Sequence, residues 1–421
     1  MRAFDDPSLI LERTRVVERF LGYVRVDTES DEASDACPST PGQLELGRRL
    51  VTELTELGLR GVGEPTPSMD ENGYVLAELP GTRPGRIGFS AHLDTAPQFT
   101  GAGVSPQIVE GYDGGPLEVG NGVTLDPAES PELRECVGDT LITTDGTTLL
   151  GADDKAGIAA IMGALEMLTR HAEVERPTVR VCFNPDEEIG RGADRFPLDR
   201  FDCPFGFTLD GSFTGEINVE TFSADKAVVT IEGVSVHPGT AKGRMVNALT
   251  WAGKLLARLP MAESPECTEG REGFFHPVSV SGDSASCRIE LIVRDFDTAV
   301  LEERGRRLQG MCAGLVAEEP RLRVDVDIRE QYRNMYDVLR DHPRVTRLLE
   351  RAVEAAGITP DLKPIRGGTD GSRLTAMGMP TPNIFAGGVD FHGPQEWIST
   401  RVLAQSVCTI LNLVQLWNVE G

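Results

Sequence analysis

The sequence predicts an α/β protein: a mostly parallel sheet with helices on both faces, interrupted by a smaller inserted α+β lid domain. Three observations predict it. Apolar strand-like runs alternate with helix-period segments in the first half of the chain and again near its end. Between about 222 and 333 the texture changes to alternating strands typical of antiparallel pairing. The chain has 421 residues, more than one compact core usually organises. The expected organisation is a catalytic domain in two parts, 1–221 and 334–421, with the lid at 222–333.

The elements follow in order. Residues 8–26 read as one helix, with apolar spacing clearest at Val16, Val17, Phe20, Leu21 and Val24. The polar stretch DTESDEASDACPSTPG is a loop, and 42–58 is helical again. RIGFSAHLD (86–94) is a largely buried strand. From about 101 to 146, glycine, proline and aspartate mark hairpins and loops with short apolar pieces such as LITT. The alanine-rich 155–171 is a helix, and TVRVCFNPD (178–186) and PFGFTLD (204–210) are strands. In the inserted domain, ADKAVVTIEGVSV, CRIELIVRDFD and LRVDVDIRE are strands, and 245–259 and 300–319 are helices. A helix at 343–356, a strand at 381–387 and a last helix at 400–417 complete the catalytic domain.

Composition narrows the function. The formal net charge of −25 repels phosphate backbones and anionic lipid, so nucleic acid and membrane are excluded as expected partners. It favours cationic ligands, metals included. The N-terminal stretch is charged and amphipathic, unlike a secretory leader, and a cytoplasmic location is the expectation. The eight cysteines are scattered without a CxxC and read as free thiols.

The chemistry collects at strand ends. In AHLDT, His92 and Asp94 point to the same face, so a carboxylate can hold the second ring nitrogen of a ligating imidazole. HxD alone better fits a buried histidine paired with its neighbour. ADDKAG places Asp153 and Asp154 where a helix begins; capping explains one aspartate but does not require two. NPDEEIGRGA ends a strand with Asp186, Glu187 and Glu188, Asp210 ends the next, and His392 follows the strand TPNIFAGG. The doublets Glu302–Glu303 and Glu318–Glu319, by contrast, read as solvated helix surface. Ligands gather at the carboxyl ends of strands in open α/β sheets. Imidazole and oxygen donors without thiolate suit zinc, manganese or cobalt, and spare acids suggest two metals sharing a carboxylate.

These motifs occur together with LITTDGTTLLGADDKAGIA, HPGTAKGRMVNAL, SPECTEGREGFFH, IVRDFD, LKPIRGGTDGSRL and DFHGPQEW. On these residues, over nearly its whole length, the chain resembles the peptidase T family of tripeptide aminopeptidases. That family lies in the dizinc exopeptidase superfamily, with carboxypeptidase G, dipeptidases, aminoacylases and succinyl-diaminopimelate desuccinylase. The resemblance implies that His92 and Asp210 hold one zinc, Glu188 and His392 the other, and Asp154 bridges them. Cobalt or manganese could replace zinc. It implies that Asp94 orients His92 and that Glu187 is the general base, taking a proton from a water shared by the metals and passing it to the departing amine. It further implies a cis peptide between Asp154 and Lys155, oxyanion support from His237 once the lid closes, and carboxylate anchoring by Arg294 and Arg366. The alternative for Arg294 is a salt bridge to Asp295 or Asp297. Asn247 reads as a helix cap, and His171, His276 and His342 as noncatalytic. The expected substrate is a small peptide, and pairing into a homodimer through the lid domain fits related enzymes. Dipeptidase, carboxypeptidase or N-acyl amino acid deacylase activity on the same scaffold is the alternative reading.

Overall fold

The computed structural model describes residues 4–419. The chain divides into two compact units. The first takes the residues up to Val219, Val338–Lys363 and those from Thr369 on; the second is Glu220–Asp337 with Pro364–Gly368. The expected boundaries differ at three places. Residues 220–221 and 334–337 belong to the second unit, and so does the short segment around Arg366. Backbone pairing explains the latter: Phe222 N–H donates to Ile365 O at 3.1 Å, and Ile365 N–H to Glu220 O at 2.9 Å.

An eight-stranded sheet organises the first unit. Its strands in chain order are β1 (Ser68–Met69), β2 (Val75–Leu79), β3 (Arg86–His92), β4 (Thr178–Asn184), β5 (Gly206–Gly211), β6 (Glu216–Asn218), β7 (Asp361–Leu362) and β8 (Asn383–Phe385). Across the sheet the order is β1-β2-β4-β3-β5-β8-β6-β7. The centre, β4-β3-β5-β8, is parallel. Antiparallel pairs flank it at β1-β2, β2-β4 and β8-β6. In the parallel centre, strands β3, β4 and β5 therefore deliver His92, Asn184 and Asp210 to one rim.

Helices cover both faces. Helix Ala152–Arg170 packs on β3 and β5 and against the last helix, Thr400–Val419. Gly157 permits its close approach: a Cβ there would lie 2.2 Å from Leu209 O, one residue before Asp210. On the opposite face, Leu76 and Cys182 join Tyr74, Phe196, Phe201 and Leu374 in a buried cluster. The expected single helix at 8–26 is two, Pro7–Arg13 and Val16–Tyr23. Thr14 breaks it; it adopts an extended conformation, and its hydroxyl donates to Ile10 O at 2.8 Å.

Within the 101–146 region, Leu117–Gly120 and Val123–Leu125 form a hairpin. Leu141–Thr143 joins Gln107–Val109, Trp397–Ser399 and Gly388–Val389 in a separate four-stranded sheet.

The second unit is a four-stranded antiparallel sheet, Phe274–Gly282, Ser286–Asp295, Ser223–Glu232 and Arg323–Tyr332 across its width. Helices Ala248–Leu256 and Thr298–Glu318 bury a shared core with it. Strand Phe274–Gly282 lies outside the sequence expectation. It is an edge strand with a register shift between Pro277 and Ser279. Proline and solvent exposure beyond Phe275 mask the alternation that would announce it. Asn247 caps its helix as expected, accepting from Leu249 N–H at 2.9 Å.

Among the described residues, no helix is long and apolar enough to cross a membrane. The cysteines are free.

Candidate metal centre

Five acidic and imidazole side chains from separate elements meet at the rim of the parallel strands. His92 is the last residue of β3. Its Nε2 lies 2.8 Å from Asp153 Oδ1 and 3.7 Å from Asp210 Oδ1. His392 presents Nε2 at 3.3 Å from Asp153 Oδ2 and 3.1 Å from Glu188 Oε1. Two donor groups result, His92–Asp153–Asp210 and Asp153–Glu188–His392, and within each the candidate ligand atoms lie within 4.8 Å of one another. Asp153 belongs to both and offers one oxygen to each.

This corrects the expected bridging residue. Asp154 is not the shared carboxylate; Asp153 is placed there. The Asp154 carboxylate is buried and committed to backbone donors, accepting from His92 N–H at 3.1 Å and Gly157 N–H at 3.2 Å. The second contact is a helix cap. A capping acid accepts from the N–H two or three residues ahead, so Asp154 is the aspartate that capping explains, and Asp153 is left for a ligand. The non-proline cis peptide likewise joins Asp153 to Asp154, not Asp154 to Lys155. Asp153 and Asp154 both have non-helical backbone angles. Lys155 turns away and is buried, its Nζ donating to Val26 O at 2.9 Å.

Asp94 supports two neighbours. His92 Nδ1 lies 3.0 Å from the Asp94 carbonyl oxygen and 3.4 Å from its Oδ1. The carboxylate accepts from the backbone N–H groups of Glu187 at 2.9 Å and Glu188 at 3.0 Å. One aspartate thus orients the first imidazole and holds the loop carrying both glutamates. Asp186, in a left-handed conformation, fixes the same loop from outside through Ser39 and Gln43.

The electrostatics are those of an acid cluster short of positive charge. Enclosure pushes the Glu187 carboxyl well above its ordinary range, and the charges of Asp210 and Asp370 add to this. Enclosure also raises Glu188 to about 7 and Asp210 to about 6, against the lowering effect of the imidazoles. Contacts with Asp153 and Glu188 raise His392 to about 10. Among the described residues, no lysine or arginine pairs with Asp153, Glu188 or Asp210. Glu188 Oε1 is buried and makes no hydrogen bond, although His392 Nε2 is near. An acceptor stranded beside an imidazole, in an oxygen-and-nitrogen donor set with one shared carboxylate, fits a pair of divalent cations.

Three other expected site residues lie in the second unit. His237 is exposed; its Nδ1 accepts from Gly239 N–H at 3.1 Å, starting a short turn. Arg294 does not pair with Asp295 or Asp297: the first binds Arg304 Nε at 2.8 Å, and the second caps helix Thr298–Glu318. Arg294 donates to Arg366 O at 3.3 Å, and its Nε is buried without a partner. Arg366 departs from its expected role as an anchor. Its guanidinium donates to the carbonyls of Gly270, Glu272 and Thr268 and to Thr268 Oγ1. Those bonds use the fork that a substrate carboxylate would need, so Arg366 clamps the 268–272 loop.

Sequence reasoning missed Asn184, Asp370 and Glu396. Buried Asn184 pairs with His92 in the parallel register and donates to the buried Asp370 carboxylate. Enclosure raises Asp370 to about 7. The positions of Asn184 and Asp370 before an acid run and at a helix start carried a signal only in combination.

A model of peptidase family M20/M25/M40 matches residues 145–416. The chain is 46% identical over 414 residues to Peptidase T of Bacillus subtilis (strain 168), covering 97% of this chain and 100% of that one. Aminopeptidase PepT from Bacillus cereus superposes with a TM-score of 0.74 at 24% identity, over 96% of this chain and 98% of that one. The Bacillus subtilis YXEP protein, a dinuclear metal-binding M20 peptidase, superposes at 0.66 with 15% identity, over 98% and 99%. These last two likenesses concern the fold.

Proposed function

The chain belongs to peptidase family M20/M25/M40, and from that premise we propose that it is a metal-dependent aminopeptidase releasing the N-terminal residue of tripeptides. The nearly full-length identity with peptidase T supports the reaction class. The observation that carries the site is the split of Asp153 between two imidazole–carboxylate groups.

His92, Asp153 and Asp210 would hold one divalent cation, and Asp153, Glu188 and His392 a second. Zinc is the cation proposed, with cobalt or manganese as substitutes. When bound, the pair supplies Lewis acidity that polarises the scissile carbonyl and lowers the pKa of water. Glu187 takes the proton from the attacking water and delivers it to the leaving amine. Asp94 keeps His92 and the Glu187–Glu188 backbone in register. His237 supports the oxyanion, and Arg294, with its unpartnered Nε, binds the carboxylate of the peptide. A cytoplasmic peptide pool and pairing of two chains through the second unit complete the proposal; neither nucleic acid nor membrane is a partner in it.

The test is a peptide panel with chelation and zinc add-back. Tripeptides should be cleaved from the N-terminus, while dipeptides, longer peptides and N-acetylated tripeptides are spared. Chelation should abolish turnover and zinc restore it. Preferred cleavage of dipeptides, or release of the C-terminal residue, would overturn the assignment.

A further inference from the structure

A shared carboxylate must be aimed at two places at once, so its backbone needs a firm hold. Asp153 sits where such a hold is hardest to obtain. Its turn enters helix Ala152–Arg170 from Gly151, which is left-handed, and Asp153 itself is not helical. The first N–H groups of a helix have no partner within it. Here a side chain 243 positions away supplies one. Glu396 Oε2 accepts from Leu150 N–H at 2.7 Å and Gly151 N–H at 2.8 Å, and Oε1 accepts from Asp153 N–H at 3.1 Å. The side chain is 1% exposed, so its contacts are with protein rather than solvent.

We propose that Glu396 is a positioning residue that aims Asp153 at both cation sites. Its own placement suits the task. It precedes strand Trp397–Ser399, which pairs with Leu141–Thr143, and Trp397 is fully buried. Its N–H donates to Gly393 O at 3.2 Å, closing a tight segment directly after His392. One short stretch of chain therefore carries the imidazole of one donor group and the carboxylate that fixes the residue shared by both. Glutamine in place of Glu396 is nearly isosteric but has a single acceptor oxygen and an amide that donates. In either orientation it sets N–H against N–H at Asp153 or at the Leu150–Gly151 pair.

The inference rests on Asp153 being the shared ligand, so the experiment carries Asp153→Asn beside Glu396→Gln and Glu396→Asp. Metal-free protein is titrated with Zn²⁺ against a chromophoric chelator, thermal melts are taken without metal, and tripeptide kcat and KM are measured with zinc in excess. Glu396→Gln should weaken both ions together, about 10- to 100-fold each, as loss of a group orienting a ligand does. The metal-free melt should stay near that of the unmodified protein, and kcat should fall more than KM rises. If Glu396→Gln fails to fold, Glu396→Asp, which keeps the charge and withdraws the oxygens, should show the same parallel weakening. A folded Glu396 variant that binds both ions with unchanged affinity, or that merely melts lower, overturns the proposal. If Asp153→Asn itself retains both ions, the reading of the centre has failed and the proposal with it. If Asp153→Asn loses them while the Glu396 variants do not, the proposal alone has failed.

Discussion

Two acid-rich regions of the first unit are buried, and they are neutralised in opposite ways. Glu53, on helix Pro41–Glu56, and Glu166, on helix Ala152–Arg170, face Arg19 of helix Val16–Tyr23. Arg19 bridges them, with Nε 3.0 Å from Glu53 and Nη1 2.5 Å from Glu166; the Arg19 and Glu166 side chains are each 2% exposed. Arg49 and Tyr23 complete Glu53, and Arg170 and Arg15 N–H complete Glu166. At the rim of the sheet, Asp153, Glu188 and Asp210 are similarly sheltered but have only imidazoles. Burying charge is costly unless it is paired. The first region is paired by the protein's own arginines. The second leaves its deficit to be filled from outside, and that separates a structural ion cluster from a cation site.

The comparison breaks most visibly if charge is removed from each region in turn. At the rim, Glu187→Gln deletes a proton acceptor but no proposed ligand. Tripeptide kcat should fall by about 10² to 10⁴, the usual contribution of a general base. Zinc content should remain at two per chain. Near-normal turnover would take the base role away from Glu187.

In the paired region the effect should be smaller and of another kind. Glu166→Ala removes one of the two carboxylates of the buried Arg19 guanidinium and leaves it with Glu53 alone. Leaving a buried charge wholly unpaired costs about 3–5 kcal/mol, and the remaining contact with Glu53 keeps the loss below that. Denaturant unfolding of the zinc-loaded protein should show that loss, while kcat/KM of the folded fraction stays unchanged. A loss of kcat/KM without a loss of stability would erase the distinction between the two regions.

How much of this was legible in the sequence follows from the same distinction. His92, Glu188, Asp210 and His392 end or follow recognisable strands, and the alternation of strand and helix brings such ends to one rim. Asp153 was missed by one position, because the sequence offers two adjacent acids and only the capping geometry at Gly157 decides which is spent. The motif around Arg366 resembles an anchor, but the carbonyls of Thr268, Gly270 and Glu272 occupy its guanidinium, and no local pattern reports a contact some 96 residues away. Glu396 was invisible for the same reason. Strand Phe274–Gly282 hid behind its proline. Long-range hydrogen bonds to backbone are set by topology, and residue type alone does not encode them.

The smallest effect concerns protons competing for the rim. Without cations, enclosure holds Glu188 and Asp370 at about 7 and Asp210 at about 6, above their ordinary values of 4.5, 3.8 and 3.8. A carboxyl whose folded value is raised contributes stability fully below its unfolded value and loses it as pH rises through the folded one. His392, raised to about 10, begins to lose its contribution above its unfolded value of 6.5, in the same direction. Glu166, lowered in the folded state because hydrogen bonds from Arg15 and Arg19 outweigh its burial, keeps its contribution throughout this range. The metal-free protein should therefore lose stability as pH rises from about 4 to about 8. Zinc should stabilise more at the upper end, because cations and protons compete for the same atoms. Glu188→Gln should flatten the metal-free slope, whereas Glu166→Ala should lower the whole curve without changing it. A metal-free protein equally stable across that range would mean that the rim is not short of positive charge, and the contrast between the two regions would lose its physical basis.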